Sequence, residues 1–319
     1  MLDCFAGGGS IPLEALRLGC ETYALDYNPV AVLLNKAVLE YPQRFGEKLL
    51  EAVKTWGDWV LAQARQELER FYPKDPDGSI PVGYIWARTL PCQNPTCGAE
   101  IPLMRQTWLA RKDEKKVALR LVLDRTAKRV DAEIVGQQGE PVDFDPDEGT
   151  VARAHVRCPV CGGTIDDNTT RRLFREGKAG QRMMAVVLNH LHRTGKTYRL
   201  PAERDLKAYC AAEAALEEKC RQLREAWGIE PVPDEEIQMT GRGQVTTPLF
   251  GMTRFGDLFN ARQKLALVTF ADAVRPRPCR NAPRWLRARL RQGSDDVFGA
   301  NSRHDGGILQ CSRSVGKHV

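Results

Sequence analysis

Two close cysteine pairs constrain this chain more than any other feature. Cys92 and Cys97 have four residues between them, Cys158 and Cys161 have two, and Gly98 and Gly162 close the respective pairs. Each pair has the form of a zinc knuckle, in which two thiolates reach one metal from a tight turn and the glycine lets backbone amides point at sulfur. Four such ligands, Cys92, Cys97, Cys158 and Cys161, complete a closed tetrahedron, which serves structure rather than catalysis. The alternative is a set of unrelated buried or redox cysteines. In a cytosolic protein, four of ten cysteines gathered into two close pairs favour a metal over a disulfide framework. The 60-residue interval between the pairs is long for a ribbon. Val117 to Leu123 and Arg129 to Val135 fill it with short, partly alternating segments that read as a β-meander. A metal supplies folding energy that so small a β unit lacks in its own core. His155 lies near the second pair, but two complete pairs leave it no vacancy, and it reads as an ordinary strand residue. Cys20, Cys210, Cys220, Cys279 and Cys311 have no spacing that suggests chemistry. Those in folded parts are expected to be small buried or half-buried residues.

A second constraint lies at the start. Asp3-Cys4-Phe5-Ala6-Gly7-Gly8-Gly9-Ser10 falls where a first, buried strand gives way to a helix that begins near Pro12. Glycines suit such a place because a Cβ keeps a bound cofactor off the backbone and because sharp turns often need positive φ. Thr22 to Leu25 reads as a second strand ending at Asp26, 17 residues after Gly9, where an acid can bind two ribose hydroxyls. Two helices are expected next, the second with its apolar stripe at Phe45, Leu49, Val53, Trp56, Val60, Ala64, Leu68 and Phe71. This strand–helix–strand–helix order opens a doubly wound sheet. The third glycine of a pyrophosphate fingerprint is replaced by Pro12, and Glu14 would compete with a pyrophosphate for the helix N-terminus. S-adenosylmethionine carries no phosphate, and its amino group suits an acid such as Asp3. A purely structural glycine turn is the alternative.

The run Asp3 to Ala15, followed by Ala24-Leu25-Asp26-Tyr27-Asn28-Pro29, resembles the cofactor motifs of amino-methyltransferases. It looks closest to the adenine-specific DNA methylases that contain a zinc ribbon, large bacterial and archaeal proteins linked to phage defence. The family pattern has Pro where this chain has Cys4. The resemblance is specific over residues 1–45 and looser to 274. It implies an α/β fold: an incomplete Rossmann-like methyltransferase sheet with an inserted β-rich zinc ribbon and helical segments. It also implies an S-adenosylmethionine site at Asp3, Phe5, Ala6, Gly7, Gly8, Gly9, Asp26, Tyr27 and Asn28. Asp3, Phe5, Gly7 and Gly9 would line the methionine side and Asp26 would hold the ribose. The implied activity is methyl transfer to N6 of a flipped adenine, with DNA and other subunits of a defence system as partners. The family's second signature, Asp/Asn-Pro-Pro-Tyr or Phe, holds the flipped base. No Pro-Pro pair occurs in the 319 residues, so the catalytic residues stay unassigned. Arg254 to Gln263 resembles the family's return from the zinc insertion. Short of the family pattern at both ends, the chain is expected to be a fragment with doubtful activity of its own.

The expected organisation is a cofactor-binding half over 1–85, a zinc-ribbon insertion over 86–166, and a helical region over 167–274 that is clearest from Glu203 to Trp227. An Arg-rich tail over 275–319 reads as disordered or foreign to the fold. Asn260 is a plausible N-cap for a helix over Ala261 to Val274. No run of about 18 uncharged apolar residues occurs, so no membrane partner is expected, and no basic leader precedes an apolar stretch, which favours the cytoplasm. The net charge of +6 permits nucleic acid without demanding it. Two other functions fit: an RNA or other amino-methyltransferase, and a non-catalytic zinc-stapled module that binds nucleic acid. Arg171, Arg172, Arg175, Lys178 and Arg182 are candidates for phosphate contact, although such runs more often form a solvated face.

Overall fold

The computed structural model describes residues 1–112, 115–190, 195–239, 246–275 and the backbone of 308–311. They form a mixed α/β structure in two compact units, one built on Met1–Gln66 with the chain from Phe270 onward, the other on Glu67–Thr269. No helix among the described residues is long and apolar enough to cross a membrane.

The first unit begins with β1 (Leu2–Asp3), α1 (Ser10–Arg17), β2 (Thr22–Leu25), α2 (Pro29–Asn35), α3 (Tyr41–Phe45) and α4 (Glu47–Leu68), which runs on into the second unit. β1 and β2 pair in parallel, Leu2 with Tyr23 and Asp3 with Ala24, so α1 is a crossover helix. Among the described residues this is the one parallel pairing. Asn28 caps α2 by accepting from the Val30 amide, and Pro29 fills the first helical position. A single π-turn, Lys36–Glu40, joins α2 to α3 and delivers Leu39 into a small core with Ala6 and Ala24. The expectation of a buried first strand is corrected: Leu2 and Phe5 are exposed, since among the described residues β1 is an edge strand paired on its β2 side alone. Of the expected α4 stripe, Ala64, Leu68 and Phe71 are buried, whereas Val53 is exposed.

The second unit is antiparallel. In chain order it holds β3 (Ile80–Pro91), β4 (Glu100–Leu103), β5 (Trp108–Lys112), β6 (Lys115–Asp124), β7 (Arg129–Val135), β8 (Val151–Ala152), β9 (His155–Arg157), β10 (Thr164–Ile165), α5 (Asp167–Arg175), β11 (Gly180–Asn189), β12 (Lys196–Arg199), α6 (Glu203–Trp227) and the start of α7 (Ala261–Val274), whose residues from Phe270 on belong to the first unit. Three sheets result, ordered β12-β11-β3-β4, β5-β6-β7 and β10-β9-β8. The meander expected between the cysteine pairs is β6 and β7, joined by β5. Asn260 caps α7 as expected, trading hydrogen bonds with Gln263 in both directions.

In this unit two strands take the place of expected helix. β11 and β12 lie where a helical region was read, and β11 pairs with β3 from Ile80 to Thr89, across the boundary drawn at residue 85. Met183 to Leu188 is buried on both faces: Met183, Val186 and Leu188 pack by Tyr84 and Trp86, while Met184 and Ala185 join Ala87 and Leu119. A run buried on both faces has no alternation, and Met and Ala are helix formers, so periodicity misreads it. The reading of the tail falls outside the described residues, apart from Arg275 and a last strand, β13 (Ile308–Cys311), which pairs antiparallel with β2 where no element was expected.

An ion network ties β12 to α6 and to the turn before β3. Arg199 grips Asp75 with Nε at 2.6 Å and a second nitrogen at 2.8 Å, and Asp205 at 2.6 and 2.9 Å; Arg204 adds a contact to Asp75 at 2.8 Å. Burial alone would raise the Asp205 carboxyl, but the Arg199 hydrogen bonds and the Ala202 amide overcome it and hold it below the ordinary carboxylate value. Such a group adds stability above its unfolded pKa of about 3.9, and that stability is lost as pH falls through the lower folded value. Arg199→Met strips the fully buried Asp205 of its guanidinium partner and leaves Asp75 with Arg204 alone, and is expected to cost about 3–5 kcal/mol in urea unfolding at pH 7. In the same measurement Asp205→Asn should flatten the acid-side loss of stability below about pH 4 relative to the parent.

Candidate metal centre and glycine loop

The four cysteines singled out by their spacing meet in the core of the second unit. Their Sγ atoms all lie within 4.8 Å of one another, with Cys92 to Cys161 at 3.6 Å and Cys97 to Cys158 at 3.9 Å. A tetrahedron of sulfurs about 2.3 Å from a central metal has edges of about 3.8 Å, so the geometry fits a tetrathiolate cation site. A disulfide needs about 2.05 Å, and all four are free thiols.

Both knuckles are built by backbone hydrogen bonds. In the first, the Cys92 amide donates to the Ala99 carbonyl, and the Cys97 and Gly98 amides donate to the Asn94 carbonyl. The Asn94 side chain accepts from the Thr96 amide and hydroxyl, which stiffens the turn. In the second, the Cys158 amide donates to Gly163 and the Gly162 amide donates back to Cys158. Gly98 and Gly162 take φ of +65° and +75°, as their places after the cysteines require. The Gly163 amide reaches the Cys161 sulfur at 3.4 Å, one residue beyond the glycine the sequence pointed to.

Surroundings divide the thiols. Burial pushes Cys92 up to about 12 and also raises Cys158, whereas the Gly163 amide holds the exposed Cys161 down to about 7. A bound cation displaces those protons, so occupancy rises with pH. Leu90, Ile101, Val156, Ile165 and Leu173, all fully buried or nearly so, pack around the sulfurs. The centre joins the end of β3 and the start of β4 to the β9–β10 hairpin and α5. His155 lies on β9, exposed and outside the sulfur cluster, as read from the sequence. Cys220 is buried as expected; Cys20 and Cys210 are corrected to exposed, since each falls on the solvent side of its segment.

In the first unit the glycine loop leaves β1 and enters α1. Asp26 stands at the end of β2, its Oδ2 accepting from the Gly7 amide at 2.8 Å and its Oδ1 from the Asn28 amide at 2.8 Å. These bonds hold its carboxyl below the ordinary value, the Asn28 amide contributing most. Asp3 accepts from the Phe5 amide at 3.1 Å. Phe5 and Tyr27 project into solvent beside the loop, and a Cβ on Gly7 or Gly8 would meet only open space. Ala6 differs from its neighbours: it is core, packed with Ala24 and Leu39.

Asn35 escaped the sequence reading. Its buried amide donates to Gly7 O at 2.9 Å and Ala31 O at 2.8 Å, linking the loop to α2. A polar residue at the end of a short apolar helix was its available signal. Gly9 has φ of +83°, and a Cβ there would lie 2.6 Å from Asn35 Oδ1. Gly9→Ala is therefore expected to cost about 2 kcal/mol or more in the first unit, read as faster amide exchange across β1, α1 and β2.

Comparison with protein-family models, with curated proteins and with solved structures finds no match to this chain.

Proposed function

We propose that residues 67–269 act as a zinc-stapled, non-catalytic module that binds nucleic acid. The observation that carries the metal half of this reading is the convergence of four thiols within 4.8 Å, three of them buried in an apolar core and Cys161 at its rim. Zinc suits this donor set because thiolates are its soft ligands and a four-sulfur site prefers a tetrahedron. With all four positions taken by cysteine, no position is open for substrate or water, so the metal's role is to fold the chain. The reading predicts about one zinc per chain by elemental analysis. Cys158→Ser is expected to release the metal and to speed hydrogen exchange over residues 88–166. Unchanged zinc content in that variant rules the site out.

The first unit favours a second reading, in which the glycine loop binds S-adenosylmethionine as the resemblance to zinc-ribbon adenine DNA methylases implies. It is supported by the parallel β1–α1–β2 crossover with Asp26 at its end and open space over Gly7 and Gly8. When bound, the cofactor supplies an electrophilic methyl group. Asp3 would hold its amino group, Asp26 its ribose, and Phe5 and Tyr27 would cover its apolar parts. Asp26 already accepts two amides, so the ribose must use the remaining lone pairs of the carboxylate. With no counterpart of the base-binding tetrapeptide in the sequence, binding without turnover is expected. Titration calorimetry with S-adenosylmethionine tests this: Asp26→Asn should weaken binding roughly tenfold or more, and no binding by the parent chain ends the reading.

A further inference from the structure

The structure carries a cationic face that the sequence reading did not single out. β8, β9 and β10 form a small sheet in which Val156 of β9 pairs with Val151 and Ile165, and this apolar face packs into the core around the cysteines. Alternation sends His155 and Arg157 to the other face, with Ala152 and Thr164 as their cross-strand partners. That face, with Arg105 and Arg153, lines a cavity of about 680 Å³. Arg105, Arg153 and Arg157 are exposed, and among the described residues their guanidinium groups make no hydrogen bond or ion pair. Two acids also line the cavity. Asp147 is already held by Arg111 at 2.9 Å, which leaves Glu148 against three arginines.

The turn that carries Arg153 is strained. Arg153 and Ala154 form the two-residue loop between Ala152 and His155, with φ of +49° and +65°. Both positions favour Asn or Gly, and other residues there cost on the order of 1 kcal/mol each. In the basic run that includes Arg171, which reads more readily as a solvated face than as a phosphate contact, most charges are taken by carboxylates. Arg171 pairs with Asp167 at 3.0 Å, Arg172 and Lys178 share Glu176, and Arg182 faces Glu100 and donates to the Val130 carbonyl.

We propose that the cavity over the outer face of the β8–β9–β10 sheet, lined by Arg105, Arg153 and Arg157, grips the phosphodiester backbone of a nucleic acid. This deepens the binding-module reading above and rests on it. Guanidinium forks match phosphate oxygens bidentately, and the three arginines come from different places: Arg105 from the segment between β4 and β5, Arg153 from the β8–β9 turn and Arg157 from β9. Cations that converge on one open cavity from three separate segments suit a polyanion that lies across them. The neighbouring tetrathiolate centre fixes the strand that carries Arg157, the residue before Cys158.

The experiment is fluorescence anisotropy on the full chain with a labelled DNA duplex and, separately, a single-stranded RNA of the same sequence, across a salt series. The triple variant R105Q/R153Q/R157Q should bind roughly tenfold more weakly, and its log–log salt slope on the duplex should flatten by about 2.7. The control R171Q/R172Q/R175Q should stay within about twofold of the parent. Loss on the duplex, on the RNA or on both carries the proposal and identifies the polymer. Unchanged affinity and slope in the triple variant overturn it, as does a parent chain that binds neither polymer at low salt. Displacement by inorganic phosphate as effective, charge for charge, as by unlabelled oligonucleotide overturns it too, since that marks a single-anion site. Zinc content measured on the same samples separates the cases: a metal-loaded triple variant with parental binding refutes the arginine face alone, while metal-free parent protein refutes the module itself.

Discussion

Four thiols gathered within 4.8 Å, three of them in the apolar core and Cys161 at its edge, anchor the second unit. The contacts span 61 residues between Cys97 and Cys158 and 69 between Cys92 and Cys161, so closing them brings the start and end of a long β excursion to one point. The entropy of closing such a loop grows only slowly with its length, and ligand bonds to a bound metal would offset it together. The rest of the neighbourhood follows from that closure. β3 can run on to Cys92 and return as β4, the β9–β10 hairpin is set against both, and α5 lays Leu173 and Phe174 over the sulfurs. The small sheet then has one face committed to the core and one free, and the free face carries the unpaired arginines.

The first unit has a different basis. Its two parallel strands share little apolar burial, with Ala6, Ala24 and Leu39 at the centre. Its order comes largely from polar contacts: Asp26 to the Gly7 and Asn28 amides, and Asn35 to the Gly7 and Ala31 carbonyls. Ile11, Leu18, Val30 and Leu33 remain exposed around it. A loop organised by a carboxylate and an amide rather than by packing presents its backbone to solvent, as the adenosyl-cofactor reading needs.

Features that depend on local chemistry were legible in the sequence. The cysteine spacing located all four sulfurs, Asn260 marked the start of α7, and the glycine loop and Asp26 were found side by side at the ends of β1 and β2. Features that depend on tertiary burial were not. Met183 to Leu188 reads as a helix or a strand equally well until β3 pairs along its edge and Leu119 of β6 packs against one face. Asn35 shows its role only when the loop folds back within reach of its amide. The charge run around Arg171 and the scattered Arg105, Arg153 and Arg157 look alike in the sequence, and carboxylate partners alone distinguish them.

The most direct test of the tetrathiolate centre is X-ray absorption at the zinc edge on the purified full chain. A first shell of four sulfurs at about 2.3 Å is the expected result. A shell containing nitrogen or oxygen, or protein that retains no zinc under non-reducing and reducing conditions alike, would contradict a zinc-stapled fold.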